Sequence, residues 1–453
     1  MIAPKKQTAV YAEGVRRALL CIALLAFTVI QLEADQWPAW RGPGANGIYG
    51  GIPLPLLWST NQNVHWQTPL PGPGNSTPII WDQRVFITQA VEKTSRRAVI
   101  CFDRRDGKIL WEAGPIWTSK ETTSPENPPC TPSPVTDGKR VIAWFGSAGV
   151  YCFDFAGHEL WNRDLGRQSH MYGYGASPLV YHDLCIINFG PGLRSFVVAL
   201  DKRTGKIVWQ YNPQPIPQDA KFENYGGEAS WQKPGGMALA EIAGSWATPL
   251  LARADHSDEI VVALPFKING LAPKNGAELW TCSGPNNGIY SAPFIGEGTV
   301  VLNSSGFRNA ITAVRPGGRG DVTTTHRAWI QNLAAKPSIG SGVIFKNHIY
   351  QINTSGFAEC RNLGTGTLVW EERLTGSGAL NSSWSSALLD GDRLYLANRN
   401  ADVFVLRASP KFELLSTNSI GAGPMNSSPA ASDGDLFLRT DQALFRISAP
   451  LAP

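Results

Sequence analysis

The sequence predicts an all-β protein, an eight-bladed β-propeller of four-stranded antiparallel blades. The first supporting observation is a repeated unit, clearest from Ala199 to Trp209, which reads A-x-D-x-x-T-G-K-x-x-W. In this unit a short apolar strand enters a polar turn closed by Gly205, and a second strand then delivers the Trp. The second observation is spacing, because the Trp recurs about every 40 to 50 residues, the period of blades with four strands each.

Degraded copies of the unit recur along the chain, and each indole offers a large apolar area to the contact between neighbouring blades. The pattern therefore predicts a structural docking role for Trp66, Trp111, Trp161, Trp209, Trp280 and Trp370. A further copy ends at Trp329 after a turn swollen by residues 316–320. The copy near Leu415 has lost its Trp.

Ring closure follows from the first and last units. The final unit, residues 426–448, shows three strands and no Trp strand, whereas the strand around Trp66 has no blade before it. We therefore expect the N-terminal strand to complete the last blade and to latch the ring. Such closure leaves no exposed sheet edge on the ring itself, and we expect a monomer.

Three regions divide the chain, and the third carries an insertion. Residues 1–34 read as a signal peptide, because basic residues precede an apolar run that is short for a membrane span. Residues 35–57 form an irregular lead-in, which we expect to pack on the ring. Residues 58–448 form a single propeller with a Pro- and Gly-rich insertion at 211–244. This organisation predicts an exported protein of the periplasm or cell envelope, with an uncleaved N-terminal anchor as the alternative.

The repeated unit resembles the tryptophan-docking motif of eight-bladed propellers in the pyrroloquinoline quinone (PQQ) dehydrogenase superfamily. The resemblance covers residues 58–448 and is strongest in the third unit, while residues 37–43 resemble the start of exported bacterial proteins of this repeat type. For the enzymatic branch it implies PQQ and Ca²⁺ in the central channel and oxidation of alcohols or sugars. For the non-enzymatic branch, which includes the propeller lipoprotein of the outer-membrane protein assembly machine, it implies a scaffold.

Motifs for catalysis or metal binding do not occur in the sequence. It contains no Cys-Cys dipeptide, no haem-attachment motif, no zinc motif and no nucleophile elbow. We therefore predict no catalytic and no metal-ligating residue. The favoured function is a non-catalytic scaffold that binds an envelope protein or a small ligand, and the alternative is a PQQ- and Ca²⁺-dependent oxidoreductase. The net charge of only +4 gives no reason to propose nucleic acid as a partner.

A candidate binding site lies at one mouth of the channel. If the first strand of each blade lines the axis, eight equivalent positions form a ring there: Asn75, Thr131, Gly175, Trp246, Tyr290, Ile339, Trp384 and Asn426. The candidate binding residues on this rim are Asn75, Tyr174, Trp246, Tyr290, Trp384 and Asn426. An aromatic and amide-rich rim suits a ligand or peptide better than a metal.

A purely structural role is the alternative for these residues. The rim residues would then only fill the channel mouth, and His170, the His that most resembles a site residue, would only pack against its neighbours. A channel mouth plugged by residues 35–57 or 211–244 would also argue against a small ligand. Cys101, Cys152 and Cys360 occupy the small-residue slot held by Ala199 in the best unit, so we expect reduced packing residues there rather than disulfides.

Overall fold

Eight antiparallel sheets follow one another along the chain and form the blades of a β-propeller, which confirms the predicted fold class. The computed structural model describes residues 35–168, 170–217, 219–225, 227–228, 237–254, 257–333 and 337–449. The predicted signal peptide, residues 1–34, lies outside the described residues, as do positions 218, 226 and 229–236 of the insertion. Within the described ranges, no helix has the length and apolarity needed to traverse a bilayer.

Short strands form the first half of the ring. The lead-in contributes β1 (Ile48–Tyr49), and β2 (Val64–Pro69) follows it. Blade 1 contains β3 (Ile79–Trp81), β4 (Arg84–Val91), β5 (Arg96–Asp103) and β6 (Ile109–Ala113). Blade 2 contains β7 (Val135–Thr136), β8 (Arg140–Trp144), β9 (Val150–Asp154) and β10 (Glu159–Arg163). Blade 3 contains β11 (Leu179–Tyr181), β12 (Leu184–Phe189), β13 (Phe196–Asp201) and β14 (Ile207–Tyr211).

The insertion after blade 3 carries a 3₁₀ turn (Phe222–Tyr225), one short helix, α1 (Leu239–Ile242), and β15 (Gly244–Ser245). Two further 3₁₀ turns, Glu92–Thr94 and Gly146–Ala148, lie in blades 1 and 2. Blade 4 contains β16 (Leu250–Ala254), β17 (Ser257–Leu264), β18 (Lys267–Leu271) and β19 (Glu278–Ser283). A short strand, β20 (Gly288–Ile289), then pairs in parallel with β15.

The second half of the ring continues in the same way. Blade 5 contains β21 (Phe294–Gly296), β22 (Thr299–Ser304), β23 (Asn309–Val314) and β25 (Arg327–Leu333), and β24 (Gly320–Asp321) joins the edge of blade 4. Blade 6 contains β26 (Val343–Phe345), β27 (His348–Ile352), β28 (Phe357–Asn362) and β29 (Leu368–Arg373). Blade 7 contains β30 (Leu388–Asp390), β31 (Arg393–Ala397), β32 (Asp402–Arg407) and β33 (Leu414–Ser419).

Blade 8 closes the ring with strands from both ends of the propeller. It contains β34 (Ala430–Ser432), β35 (Asp435–Arg439) and β36 (Ala443–Ser448). The N-terminal β2 pairs antiparallel with β36, with Trp66 opposite Arg446. The predicted latch is therefore confirmed, and the outer edge of the last blade comes from the first strand of the ring.

Indoles connect most neighbouring blades. The indole N–H on the outermost strand of one blade donates to a backbone carbonyl in the turn of the next. The pairs are Trp66 to Arg104 (2.8 Å), Trp111 to Phe155 (3.0 Å), Trp161 to Lys202 (3.0 Å), Trp209 to Pro273 (2.8 Å), Trp329 to Leu363 (2.7 Å) and Trp370 to Ser409 (3.0 Å). The turn beneath needs glycine, since a Cβ on Gly107 (φ 72°) would lie 2.7 Å from Cδ2 of Trp66.

Trp280 departs from this pattern. Its indole N–H donates to Oε2 of Glu259 within its own blade, at 2.7 Å, and its side chain is fully buried. The swollen turn of blade 5 explains the difference, because β24 pairs with β19 and the N–H of Gly317 donates to the same Glu259 oxygen. The turn that would have received the indole N–H thus reaches back over blade 4. The Trp280 indole packs among residues of blades 4 and 5, as expected, whereas its hydrogen bond stays inside blade 4.

A ring of hydroxyl groups surrounds the channel, and we call it the hydroxyl girdle. At the start of each of six blades a backbone N–H donates to the Ser or Thr hydroxyl at the equivalent position of the next blade. The bonds run from Thr77 to Ser133 (2.8 Å), Ser133 to Ser177 (2.9 Å), Ser177 to Thr248 (2.8 Å), Ser341 to Ser386 (2.9 Å), Ser386 to Ser428 (3.0 Å) and Ser428 to Thr77 (3.0 Å). Ala292 interrupts the girdle because it has no hydroxyl.

The lead-in lies inside the channel, against the inner edges of the first strands. Trp37 forms a bridge with Ile80 of β3 on one side, and Ile48 of β1 pairs in parallel with Leu389 of β30 on the other. Between them the guanidinium of Arg41 is buried and donates to the carbonyl of Gly342 at 2.6 Å. Burial lowers the pKa of this guanidinium to about 9. The lead-in therefore packs on the ring from within and fills the channel at the level of the first strands.

All six described cysteines are buried free thiols. Cys101, Cys152 and Cys360 pair directly across from Trp111, Trp161 and Trp370, at the position where Ala199 faces Trp209. A small side chain there leaves room for the indole. Burial raises the pKa of the Cys101, Cys130 and Cys152 thiols to about 12.

Loss of one girdle hydroxyl should destabilise the ring. In Ser133→Ala the buried N–H of Thr77 loses its acceptor, and we expect the free energy of unfolding to fall by roughly 1–3 kcal/mol. Denaturant unfolding monitored by Trp fluorescence measures this change. The matched variant Ala292→Ser adds the missing hydroxyl and should be neutral or stabilising by up to about 1 kcal/mol. An unchanged stability of Ser133→Ala would contradict a structural role for the girdle.

The thiols should be silent in the native protein. In a Cys21→Ser background, we expect no reaction with a disulfide reagent at about pH 8, because buried thiols with raised pKa values form little thiolate. After denaturation all six thiols should react. Fewer than six in the denatured, unreduced protein would reveal a disulfide.

Candidate functional site

A cavity of about 380 Å³ opens at the channel mouth where the first strands begin. All eight positions of the predicted rim line it, each in the loop that enters the first strand of its blade: Asn75, Thr131, Gly175, Trp246, Tyr290, Ile339, Trp384 and Asn426. The girdle residues lie one level deeper, and Trp40 of the lead-in also lines the cavity. The lead-in fills the channel below the cavity. The cavity is therefore a pocket that opens at the channel mouth, and the lead-in does not fill it.

Tyr174 is the candidate residue that does not line the cavity. Its ring packs edge-on against Trp144 at 5.1 Å between centroids, and its hydroxyl donates to the carbonyl of Gln168 at 2.6 Å. Its neighbour Gly175 takes the rim position, where a Cβ would lie 3.1 Å from the Cδ1 atom of Trp246. Tyr174 therefore belongs to the core of blades 2 and 3, and its assignment to the rim was wrong by one position.

One wall of the cavity is aromatic. The ring centroids of Trp246 and Tyr290 lie 4.9 Å apart, and Tyr172 lies 6.0 Å from the first and 6.4 Å from the second. The indole N–H of Trp246 donates to the carbonyl of Gly173 at 2.9 Å, which fixes the indole. Pairing of β15 with β20 holds the backbone on either side, so the C-terminal part of the insertion positions this wall.

His170 packs against the aromatic wall. Its ring meets Trp246 edge-on at 4.9 Å, and its Nδ1 accepts a hydrogen bond from the N–H of Tyr172 at 3.3 Å. Burial lowers the pKa of His170, and a backbone hydrogen bond to Glu241 acts weakly in the opposite direction. His170 is not one of the residues that line the cavity, and these contacts support a packing role.

The opposite wall consists of amides and one carboxylate. The Nδ2 atoms of Asn75 and Asn426 donate to the same carbonyl oxygen of Glu126, at 2.8 and 3.2 Å. A carbonyl oxygen only accepts hydrogen bonds, so these contacts fix both amide orientations. The two Oδ1 atoms are buried and have no hydrogen-bond partner among the described residues.

The long connection between blades 1 and 2 joins the two walls. Asn127 donates from Nδ2 to the carbonyls of Tyr172 (2.6 Å) and Tyr174 (2.9 Å). The neighbouring Glu126 carboxylate accepts from the hydroxyl of Ser124 at 2.6 Å, and this bond lowers the pKa of Glu126. The carboxylate is therefore charged at neutral pH.

Sequence reasoning missed Trp40, Glu126, Asn127 and Tyr172 as lining residues. The repeat does not contain them, because they lie in the lead-in and in loops between blades. The only available signal was loop length, since connections of more than about 15 residues are uncommon and often functional.

The ionisable chemistry of the cavity is sparse. Glu126 is the one carboxylate among the residues that line it, and none of them is Arg, Lys or His. No group of three or more His, Cys, Asp or Glu in the described parts of the chain could hold a metal ion. Burial also raises the pKa of Tyr290 to about 12, so its phenol is neutral. The arrangement can stack a ligand and accept hydrogen bonds from it.

Eight four-stranded blades, Trp-to-turn contacts between them and a latch made by the N-terminal strand define a PQQ-like β-propeller. The sequence profile described as outer membrane protein assembly factor BamB matches residues 57–189 and 98–355, more than half of the chain. The chain therefore belongs to this family. No curated protein matches the sequence.

Solved structures share the fold at low identity. BamB from Moraxella catarrhalis is 15% identical, with a TM-score of 0.56 over 86% of this chain and 98% of that chain. The quinohemoprotein alcohol dehydrogenase ADHIIG from Pseudomonas putida HK5 is 11% identical, with a TM-score of 0.57 over 92% and 82%. A europium-containing methanol dehydrogenase is 10% identical, with a TM-score of 0.54 over 92% and 98%. The fold is thus shared by assembly factors and dehydrogenases and does not decide between them.

The buried His170 should make stability depend on pH. Its folded pKa lies below the unfolded value of 6.5, so the unfolded chain binds the proton first as the pH falls. Stability from this group is therefore complete well above pH 6.5 and is lost below it, by at most about 1.4 kcal/mol per pH unit. We expect His170→Gln to flatten the decrease between about pH 7.5 and 5.5, measured by denaturant unfolding. The variant of an exposed residue, His65→Gln, should keep the wild-type slope.

Proposed function

We propose that this chain is an exported, non-catalytic propeller that binds a small ligand or a segment of an envelope protein at its channel mouth. The observation that carries the proposal is the cavity itself. Eight equivalent positions converge on it, one wall is aromatic, and the other wall offers buried acceptors without partners. Pockets with an apolar wall and a few placed polar groups are typical ligand sites.

The polar groups favour binding over catalysis. General acid–base chemistry needs a titratable group whose pKa lies near the working pH and a second group that acts with it. Glu126 has a lowered pKa, and no other carboxylate or His lines the cavity. The lining therefore supplies contacts for a ligand and lacks a proton-transfer pair.

Family membership supports a role in the cell envelope. The matching family is described as an outer membrane protein assembly factor, and the N-terminal residues have the pattern of a signal peptide. We propose that the chain functions in the periplasm or at the envelope as a monomer, because latching of β2 onto β36 closes the ring.

The alternative is a quinoprotein oxidoreductase, which the likeness to the two dehydrogenase structures favours. Bound PQQ would accept electrons from an alcohol or sugar, and its several carboxylates would need cationic or donor groups. The lining has no cationic side chain, and its donors are neutral amides, hydroxyls and indoles, so these carboxylates would find no counter-charge. PQQ does not fit this donor set. Ca²⁺ prefers six to eight oxygen ligands, commonly with several carboxylates, and the cavity offers one.

Addition of PQQ and Ca²⁺ should leave the protein unchanged. We expect no shift of the melting temperature, no new absorption band of bound quinone and no dye reduction with alcohols or sugars. A parallel measurement on a known quinoprotein dehydrogenase controls the assay. A saturable thermal shift that needs both PQQ and Ca²⁺, together with dye reduction, would favour the enzyme.

A further inference from the structure

We infer that the channel-mouth cavity recognises a protonated primary or secondary amine carried on an apolar or aromatic body. This inference rests on the proposed function and specifies the ligand class of the same site. Three features of the cavity lead to it: the polarity of its free hydrogen-bonding groups, the sign of its charge, and the placement of its aromatic rings.

Acceptors outnumber free donors on the polar wall. Asn75 and Asn426 each donate one of their two amide N–H groups to the carbonyl of Glu126, and their buried Oδ1 atoms have no partner among the described residues. The Glu126 carboxylate adds further acceptor positions. This excess of acceptors favours a group that donates several hydrogen bonds, such as an ammonium group.

The charge of the lining also favours a cationic ligand. Glu126 is its one carboxylate, and no cationic side chain lines the cavity. The nearby guanidinium of Arg399 stacks on Trp384 at 5.2 Å and also interacts with the carboxylates of Glu126 and Asp441. It therefore supports ionisation of Glu126 and is not one of the residues that line the cavity.

The aromatic wall suits the body of such a ligand. Trp246 and Tyr290 pack against each other at 4.9 Å with their planes tilted by 39°, so they form one continuous surface rather than two sides of a slot. An apolar or aromatic body can lie on this surface, and an adjacent cation gains a favourable interaction with the rings. The ammonium then meets the amide wall opposite.

Other ligand classes match less well. An anion would meet Glu126 and find no cation. A sugar carries no positive charge, so it would leave the Glu126 carboxylate without a counter-charge. Ca²⁺ could use the same oxygens, and this makes it a required arm of the test.

A matched series of small probes tests the inference on the full-length protein at about pH 7. Phenethylamine, 2-phenylethanol and 3-phenylpropionate share a body and differ in head group. Titration is followed by calorimetry and by Trp fluorescence. We expect phenethylamine to bind at least about tenfold more tightly than the alcohol, and the carboxylate to show no binding. Trimethyl(2-phenylethyl)ammonium, which has the same body and charge but no N–H groups, should bind more weakly than phenethylamine.

Variants locate the binding. Glu126→Gln keeps the shape of the side chain and should weaken phenethylamine binding about tenfold, with little change for the alcohol. Tyr290→Ala should weaken both ligands. Glu112→Gln, on the outermost strand of blade 1, is the matched control and should bind like the wild type. Melting temperatures confirm that each variant is folded.

The outcomes separate the ligand class from the proposed function. Equal affinity for trimethyl(2-phenylethyl)ammonium would overturn the role of the N–H donors. Tight Ca²⁺ binding that displaces phenethylamine would assign the oxygens to a metal. Binding of methyl glucoside or 2-phenylethanol without preference for the amine would overturn the amine class and leave a ligand-binding propeller. Binding of none of the probes would count against both the inference and the small-ligand form of the proposed function.

Discussion

Hydrogen bonds of the hydroxyl girdle are the constraint on which the channel depends. Each bond ties the start of one blade to the equivalent hydroxyl of the next, so the inner strands share one level around the axis. The rim residues lie two positions before the girdle residues, as Asn75 does before Thr77, and therefore converge at one height. The backbone thus repeats around the ring, whereas the rim side chains differ from blade to blade. The chemistry of the cavity therefore depends on which residues occupy the rim.

Much of the fold could be predicted because the repeated residues make the contacts that fix the geometry of each blade. An indole needs a glycine turn from the next blade beneath it and a small residue opposite, so Trp209 with Gly276 and Ala199 marks blade geometry directly in the sequence. The failures lie where contacts are not local. The indole N–H of Trp280 donates to Glu259 instead of the next turn, and Gly317 of the swollen turn donates to the same oxygen. No spacing rule expresses this long-range arrangement.

The candidate site divides in the same way. The repeat register located the rim, but a shift of one residue exchanged Gly175 for Tyr174. The Glu126 loop and Tyr172 follow no repeat, and their place over the mouth is fixed by long-range bonds such as those from Asn127. Family likeness adds the fold and little more, because the same scaffold carries assembly factors and dehydrogenases.

The latch has a consequence for biosynthesis. The strand made first pairs with the strand made last, so the circle cannot close until nearly the whole chain has been synthesised. Until then β2 has no strand to pair with, and unpaired strand edges are sites of intermolecular association. The lead-in must also reach the interior while the ring is still open. Newly made chains would therefore pass through a long interval in which they need protection from one another.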